Sequence, residues 1–337
     1  MRIAILAPIH WRTPPRKYGG YEIIASYIAE GMVKRGHSVT LYATGDSLTS
    51  GKLRSICPRP IEEDKTLDGK VFQYLHSALP FEEAEQFDII HNHYDAYPLV
   101  FSKLIKTPVV TTIHGFTNSG VSKIYNKYSN THFVSISLAD RKNGPKMNWA
   151  ANVYHGIPVE EYTFKNSPQD YFCYLGRICA DKGIHLSIQI ARKLGIKLKF
   201  AGLIPNDSKD YFEKEVKPYL SSTIEYLGEI SHEEKKLLLQ NSTCLLHLNT
   251  YPEGFGIPLI EAMACGTPVI GMNNGSIPEI IEDSKTGYVV NNISEAELAV
   301  KKISSISRSS CRRRVEALFT VDRMVSDYEE VYKRIIS

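Results

Sequence analysis

The sequence predicts an α/β protein made of two Rossmann-like domains that face each other across a cleft. Its 337 residues suit two domains of ordinary size. Short, continuously apolar runs alternate with stretches of helical periodicity, as expected for strands buried in a parallel sheet. This alternation begins twice, at the N-terminus and again near residue 170, so two sheets are predicted.

The first domain opens with a strand–helix–strand unit. Residues 3–7 form an apolar run that ends at Pro8. Apolar residues then recur at helical spacing from 23 to 33, and Gly36 ends that helix before the strand 38–42. Three more strands are predicted in this domain, at 88–91, 108–114 and 132–136.

The second domain follows a segment, 156–170, whose proline and polar content is typical of a linker. A strand at 171–175 and a helix at 184–194 open the new alternation. Ser231 and Glu234 are spaced as a capping box that begins another helix. Further strands are predicted at 198–201, 224–227, 244–248 and 268–270, and an amphipathic helix at 322–336.

The composition excludes several classes of protein. With 43% hydrophobic residues and a net charge of +3, the chain is not disordered as a whole. No apolar run approaches the ~20 residues that span a bilayer, and the N-terminal run is too short for a signal-peptide core. Six cysteines without a CxxC pair suggest neither a zinc ribbon nor a disulfide framework. A cytoplasmic or membrane-peripheral location is therefore expected.

The small net charge conceals a difference between the two halves. Residues 1–150 carry 18 Lys and Arg against 13 Asp and Glu, whereas the remainder carries 22 against 24. The basic half favours an anionic partner or a membrane surface, unless its charges are merely scattered and solvated. No dense basic tract with interleaved aromatic residues is present, so nucleic acid is not expected as a partner.

The segment 253–261 carries the most chemical information. Gly254 and Gly256 precede a helix with a proline in its first turn, and a helix N-terminus offers unpaired N–H groups to an anion. Glu253 and Glu261 would repel a phosphate, so sugar hydroxyls are their natural partners. The spacing alone fits equally well a glycine-rich turn that carries surface glutamates.

Arg177 and Lys182 lie five residues apart on a loop that follows the first strand of the second domain. Fixed cations and helix N–H groups can stabilise the charge that a departing diphosphate gathers, without a metal. The alternative is a pair of solvated loop charges. A second anion-binding element in the same half of the chain favours the first interpretation.

Polar residues also follow strands of the first domain, where parallel sheets bind their ligands. Gly19 and Gly20 allow close approach of a ligand to the backbone, but no GxGxxG marks a nicotinamide site. His114 ends a strand and can hydrogen-bond a ligand. His91 and His93 could ligate a metal, but no third ligand accompanies them, and no Asp-x-Asp clamp occurs in the chain. We therefore expect no metal site.

These motifs resemble those of the retaining GT4-family glycosyltransferases (glycosyltransferase group 1), which have the GT-B fold. Residues 253–261, EGFGIPLIE, are similar to the E-x7-E motif of that family, and AMACGTPVIG follows in nearly the commonest family wording. Motifs at 19–20, 36–40, 114–115, 176–183 and 278–281 also occur in family order. The resemblance covers almost the whole chain.

The resemblance implies a fold, a domain division and an activity. The N-terminal, acceptor-side domain would span 1–157 with 321–337, because the C-terminal helix crosses back to it, and the nucleotide-sugar domain would span 158–320. The activity implied is transfer of a hexosyl group from a UDP- or GDP-sugar to a hydroxyl acceptor, with retained configuration. Neither a metal nor another cofactor is implied, and the departing phosphate takes the acceptor's proton.

The resemblance also implies roles for particular residues. Arg177 and Lys182 would hold the diphosphate, Glu261 the ribose, and Glu253 the hydroxyls of the donor sugar. His114 would contact the donor sugar near the reacting centre, so the implied catalytic residues are His114, Glu253, Arg177 and Lys182. The implied donor-binding residues are Gly19, Gly20, Arg177, Lys182, Gly254, Phe255, Gly256, Ile257, Leu259 and Glu261.

Two departures from the family pattern lie near the cleft: His155 stands where many members have Asn, and Leu248-Asn249 replaces Pro-Ser. The acceptor, whether a saccharide, a lipid-linked sugar or a small molecule, would be selected by segments 13–21 and 117–127. Two alternatives remain at this point: another GT-B-type sugar-nucleotide enzyme, such as an epimerase, and a non-catalytic two-domain sugar-binding protein.

Overall fold

The computed structural model describes residues 1–17, 19–115, 120–143 and 146–337. The chain divides into two compact units. Unit 1 comprises Met1–Gly156 and Val321–Ser337, and unit 2 comprises Ile157–Thr320. Each unit is built on its own parallel sheet, so the predicted α/β class with two sheets is confirmed.

In the described part of unit 1, seven parallel strands form a sheet of order β3-β2-β1-β4-β5-β6-β7. The strands are β1 Arg2–Leu6, β2 Ser38–Tyr42, β3 Lys52–Arg54, β4 Ile89–Asn92, β5 Val109–Ile113, β6 His132–Ser135 and β7 Trp149–Asn152. The α-helices of this stretch are α1 Gly20–Lys34, α2 Gly69–Glu82, α3 Ser122–Lys127 and α4 Leu138–Asn143, and a 3-10 helix spans Tyr97–Leu104.

In unit 2, all of which is described, six parallel strands have the order β10-β9-β8-β11-β12-β13. They are β8 Phe172–Leu175, β9 Leu198–Ala201, β10 Ile224–Tyr226, β11 Cys244–His247, β12 Val269–Met272 and β13 Gly287–Val290. The helices are α5 Ile184–Leu194, α6 Lys209–Tyr211, α7 His232–Asn241, α8 Ile257–Ala264, α9 Ile277–Ile280, α10 Ile293–Lys302 and α11 Arg308–Leu318, and the chain ends with α12 Val321–Ile336 in unit 1.

The strands that the sequence did not predict are β3, β7 and β13. Each lies at the edge of its sheet, and β3 and β7 contain no fully buried residue. A strand at an edge does not need the continuous apolar run that marks a central strand. Periodicity therefore identified the interior of both sheets and missed three of their edges.

The segment 156–170 is not a loose linker, contrary to expectation. Val159 and Tyr162 are buried in unit 2, whereas Glu160, Glu161 and most of the stretch from 163 onward are exposed. Arg312 of α11 donates to the carbonyl of Tyr162 at 2.6 Å and to that of Ala264, at the end of α8, at 2.8 Å. One guanidinium thus fixes this segment against the C-terminus of α8.

The terminal helix α12 is amphipathic, as predicted. Its apolar stripe, Met324, Val325, Tyr328, Val331 and Tyr332, is buried within unit 1. Arg35 at the end of α1 bonds Glu329 of α12 at 3.0 Å. Among the helices that the structure describes, none is long and apolar enough to cross a membrane.

A cluster of buried histidines lies at the carboxyl ends of β4 and β5 in unit 1. The Nε2 atom of His91 lies 2.8 Å from the Thr112 hydroxyl, and its Nδ1 lies 2.5 Å from the Tyr332 hydroxyl. The Nδ1 atom of His93 lies 2.9 Å from Nε2 of His114. Because these nitrogens bond one another and two hydroxyls, His91 and His93 form part of the buried core of unit 1.

Burial lowers the pKa of the four histidines in this region, to about 3 for His114 and well below the ordinary value for His91, His93 and His155. Desolvation is the main cause, since burial penalises the charged imidazolium. All four are therefore neutral in the folded protein at pH 7. As the pH falls below ~6.5, the unfolded chain takes up protons that the folded chain cannot, and the fold loses stability.

We predict that His155→Asn flattens the pH dependence of unfolding. The variant lacks one group that protonates only on unfolding, so its free energy of unfolding should fall by about 2 kcal/mol less than that of the wild type between pH 7 and pH 5. Urea denaturation at the two pH values measures the difference. Equal losses in both proteins would contradict the assignment of His155 as a buried neutral group.

Candidate functional site

The turn between β11 and α8 carries the first motif glutamate and the glycines. Gly256, the residue before α8, has φ 85°, a left-handed conformation that glycine adopts without strain. It has no side chain to cap the helix, so the N–H of Ile257 can bind an anion, whereas Pro258 has no N–H and Leu259 donates its own to the Gly256 carbonyl at 3.0 Å. Ser276 holds the backbone of this turn in place, because it donates its N–H to the Glu253 carbonyl and its hydroxyl to the Phe255 carbonyl, both at 2.9 Å.

The carboxylate of Glu253 lies at the centre of a polar cluster. Its Oε2 atom accepts hydrogen bonds from Lys182 Nζ at 2.7 Å, from His247 Nε2 at 3.0 Å and from the side-chain amide of Asn249. Burial alone would raise the pKa of Glu253, but the hydrogen bond from His247 and the charge of Lys182 outweigh it and hold the pKa well below its usual range. The carboxylate is therefore ionised at any physiological pH.

Lys182 reaches Glu253 because its loop packs directly on the end of β11. Gly183, with φ 71°, lies so close to the Leu248 carbonyl that a Cβ there would fall 2.0 Å from the oxygen. The N–H of Thr250 also donates to the Asp181 carbonyl at 2.9 Å. The loops after β8 and β11 thus form one surface. Lys182 and Glu253, which the resemblance assigns to the diphosphate and to the donor sugar, are bonded to each other.

Arg177 occupies the same loop but is more exposed. Its guanidinium lies 3.9 Å from the Asp181 carboxylate, and about two-fifths of each side chain is exposed. Its backbone carbonyl accepts a hydrogen bond from the Tyr174 hydroxyl at 2.7 Å. An exposed ion pair whose charged atoms lie 3.9 Å apart contributes little to stability. The guanidinium can therefore move towards an anion at a small cost in free energy.

Glu261 lies one helical turn inside α8 and is almost fully buried. Its Oε1 atom accepts from the Tyr162 hydroxyl at 2.7 Å and from the Lys235 ammonium. Lys235 comes from α7, which begins at the predicted capping box of Ser231 and Glu234. Within the described residues the Oε2 atom accepts no hydrogen bond, so one oxygen of this carboxylate can accept from a ligand.

The glycines predicted in unit 1 precede α1, whose N-terminus already has a carboxyl group nearby. The Oε1 atom of Glu22, in the first turn of α1, accepts the N–H of Trp11 at 3.3 Å. Burial raises the pKa of Glu22 to about 7, so this carboxyl is close to half protonated at neutral pH. A neutral Glu22 carboxyl group repels an anion at the Gly20 amide less than a carboxylate would.

His114 follows β5 and is fixed from two sides. The ring of Tyr21 stacks on it with centroids 4.4 Å apart, and His93 holds its Nε2. Its buried Nδ1 has no hydrogen-bond partner among the described residues. A ring that is held in place with one nitrogen unused is well prepared to contact a ligand.

The structure places the predicted residues in separate groups. Lys182, Glu253 and the start of α8 lie together in unit 2, and Glu261 lies within the same helix. Phe255 and Leu259 have fully buried side chains, so only their backbone can contact a donor. In the portion of the chain that the structure describes, no three His, Cys, Asp or Glu side chains are arranged to hold a metal ion.

Four residues of these clusters were not predicted as site residues: His247, Asn249, Tyr162 and Lys235. The position of His247 at the carboxyl end of β11 was an available signal, and Asn249 was noted only as a departure from the family pattern. Tyr162 lay in the stretch interpreted as a linker. Lys235 had no signal in the sequence, since one lysine among several on α7 is unremarkable.

Comparisons with known proteins identify the family. The sequence profile described as "Glycosyl transferases group 1" matches residues 160–317, and the profile described as "Glycosyltransferase Family 4" matches residues 18–142. An uncharacterized glycosyltransferase of Methanocaldococcus jannaschii is 24% identical over 336 residues, which cover 91% of this chain and 93% of that protein.

Solved structures agree on the fold. Sucrose-phosphate synthase from Thermosynechococcus elongatus superposes with a TM-score of 0.83 at 17% identity, covering 99% of both chains. Anabaena HepE, solved in complex with UDP, superposes with a TM-score of 0.77 at 16% identity over 99% of this chain and 100% of its own. The chain therefore belongs to the GT4-type glycosyltransferases, which have the two-domain GT-B fold.

Proposed function

We propose that this glycosyltransferase transfers a hexosyl group from a UDP- or GDP-sugar to a hydroxyl acceptor, with retention of configuration and without a metal. The observation that carries this proposal is the buried pair Lys182–Glu253 beside the uncapped start of α8. It combines a cation, a helix N-terminus and a carboxylate, which are the groups that a sugar diphosphate needs. The complexes of HepE with UDP and with UDP-glucose support a nucleotide-sugar donor.

The diphosphate would bind at Lys182 and at the Ile257 amide that opens α8. Both groups are fixed before the ligand arrives, so they stabilise the charge of the leaving group without reorganisation. Arg177, on the same loop, can turn from its weak pair with Asp181 to the outer phosphate. Because guanidinium, ammonium and helix dipole supply the positive charge, the proposed mechanism needs no metal.

Glu253 would hold hydroxyls of the donor sugar rather than a metal ion. Three protein donors already converge on its Oε2, so this oxygen is a poor metal ligand. The Lys182 ammonium has three N–H donors, so it can contact the diphosphate while it stays bonded to Glu253, and His247 and Asn249 also hold the carboxylate in place. Glu261 would accept a ribose hydroxyl on Oε2, while Tyr162 and Lys235 fix its other oxygen.

Unit 1 would supply His114 to the donor sugar, and segments 13–21 and 117–127 would select the acceptor. Residues 18 and 117–119 of these segments lie outside the described residues. The acceptor's proton would pass to the departing phosphate, which gains basicity as the glycosidic bond breaks. Family membership as a glycosyltransferase makes the non-catalytic sugar-binding alternative wrong, and nothing in the described site favours an epimerase.

We predict that Lys182→Ala and Arg177→Ala each lower the turnover number by hundreds of times or more. Loss of one fixed charge at a leaving group typically costs ~2.7–4 kcal/mol in the transition state. Steady-state transfer or donor-hydrolysis kinetics measure the effect. Lys193→Ala, which removes an exposed lysine of the same unit, is the matched control and should leave turnover unchanged. Turnover close to that of the wild type in both site variants would defeat the assignment.

We also predict that an α-linked donor gives an α-linked product, and that EDTA leaves the rate largely intact. Retention follows because the acceptor attacks the face from which the diphosphate departs. Resistance to EDTA follows because the cations of the proposed site are side chains. Proton NMR of the anomeric signal in the first product identifies the configuration. A β-linked product would exclude retention, and loss of activity that added metal restores would exclude a metal-free mechanism.

A further inference from the structure

The sheet of unit 1 reverses its strand order between β1 and β4, and Asp95 lies just beyond the end of β4. Open α/β sheets bind ligands outside the carboxyl ends of their strands, at the point where the order reverses. We propose that Asp95 and the Tyr94 hydroxyl bind the acceptor, and that this acceptor is an uncharged saccharide. The inference rests on the proposed function, because it names the class of its hydroxyl acceptor.

The turn that carries both residues is held by Asn92, the last residue of β4. The side chain of Asn92 accepts the N–H of Tyr94 at 2.8 Å and donates to the Asp95 carbonyl at 2.7 Å. Asp95 has φ 50°, a left-handed conformation that Asn and Asp tolerate better than most residues. One asparagine thus sets the positions of Tyr94 and Asp95 relative to the end of the strand.

The carboxyl group of Asp95 has no partner within the described residues. It forms no ion pair there and accepts no hydrogen bond. Burial raises its pKa to about 6, and no nearby cation opposes that rise. The group is therefore mostly ionised at pH 7. A carboxylate that is partly removed from water and lacks a partner is expected where a ligand supplies the missing donor.

Glu22 is the second carboxyl group at this point of the sheet. Trp11, on the loop after β1, donates its N–H to Oε1 of Glu22 at 3.3 Å. Burial raises the pKa of Glu22 to about 7, and the charge of Asp95 adds to the rise. No lysine or arginine lowers the pKa of either carboxyl group. The charge here is therefore negative, which disfavours an acidic acceptor.

The Tyr94 side chain is an independent sign of a ligand. It is 2% exposed, and its hydroxyl has no hydrogen-bond partner among the residues that the structure describes. Burial raises the pKa of this hydroxyl, and the charges of Asp95 and Glu22 raise it further, so the hydroxyl lies near both carboxyl groups. A buried hydroxyl that makes no hydrogen bond is costly. A ligand at Asp95 can supply the missing partner.

The imidazoles beside Tyr94 add no positive charge. The rings of His10 and His76 lie 5.8 Å and 5.7 Å from the Tyr94 ring, between centroids. Burial lowers the pKa of both histidines, so both are neutral at pH 7. The charged groups that act on His10 are Glu62 and Lys65, which form an ion pair with each other at 2.6 Å.

The basic residues of the loop after β1 have other surroundings. Arg12 donates to a backbone carbonyl of its own loop at 2.9 Å. Arg16 is paired with Asp46 at 3.0 Å and with Glu63 at 2.8 Å, and Lys17 is exposed to solvent. These contacts leave the negative charge of the carboxyl pair uncompensated.

An uncharged saccharide fits these groups better than an acid or an amine. Each sugar hydroxyl both donates and accepts, so one ligand can bond the Asp95 carboxylate and the Tyr94 hydroxyl. Tyr97, two residues after Asp95, is 57% exposed and offers an aromatic face to the C–H groups of a sugar ring. Asp95 would repel an acidic acceptor, and an ammonium group would bring no acceptor for the Tyr94 O–H.

Initial-rate kinetics with acceptors that differ only in charge test the inference. Methyl glucoside, methyl glucuronide and methyl glucosaminide are uncharged, anionic and cationic, and the same series is made from galactose and mannose. We expect transfer to an uncharged member, with a kcat/KM at least about tenfold above that of its uronide, because a like charge beside Asp95 is unfavourable. The KM of the nucleotide sugar is measured in parallel.

Asp95→Asn removes the charge and suits the left-handed backbone. It should raise the KM of the uncharged acceptor about tenfold or more and reduce the preference over the uronide by about tenfold, with the donor KM unchanged. Tyr94→Phe should raise the acceptor KM by about two- to tenfold without lowering the melting temperature, because no residue bonds the hydroxyl. Glu85→Gln, which neutralises an exposed carboxylate of unit 1, is the matched control and should change neither KM.

Three outcomes would overturn the inference. They are equal use of an uncharged acceptor and its uronide, an acceptor KM that is unchanged in Asp95→Asn, and no transfer to any uncharged glycoside by a protein that still binds UDP or GDP. A wild type that binds neither nucleotide would overturn the proposed function, and the inference with it.

Discussion

The ion pair between Lys182 and Glu253 is the interaction on which the proposed donor site depends. Both side chains are largely buried, and a buried charge is tolerable only where an opposite charge and further hydrogen bonds accompany it. Each partner thus explains why the other can remain charged inside unit 2. The pair also joins the loop after β8 to the loop after β11, and so places a cation beside the N-terminus of α8.

The hydrogen bonds of the carboxylate give the pair a property useful for catalysis. Glu253 accepts hydrogen bonds from His247 and Asn249 as well as from Lys182, so its carboxylate stays paired and hydrogen-bonded if the Lys182 ammonium also donates to a diphosphate. Where the family has Ser, Asn249 therefore donates to this carboxylate, so the departure leaves the position with a hydrogen-bond donor. The same logic applies to Glu261, where Tyr162 and Lys235 hold one oxygen and leave the other for a ligand.

The sequence predicted what local patterns encode. Central strands such as β1 and β11 are continuous apolar runs, and α8 is bounded by Pro258 and Gly266, so both the sheets and the turn before α8 were recognisable. The edge strands β3 and β7 were missed because half-exposed strands lack such runs, whereas β13 has the short apolar run Tyr288–Val290 and was overlooked. The role of Lys235 was not predictable, since its contact with Glu261 joins positions 26 residues apart and depends on how α7 packs beside α8.

Titration calorimetry of nucleotides tests the central claim most directly. UDP and GDP, each against its parent nucleoside, are titrated into the wild type and into Lys182→Ala. A site that binds a diphosphate at Lys182 should bind one of the diphosphates at least about tenfold more tightly than its nucleoside, and the variant should lose most of that advantage. Equal affinity for diphosphate and nucleoside in the wild type, or an advantage that survives in Lys182→Ala, would contradict it.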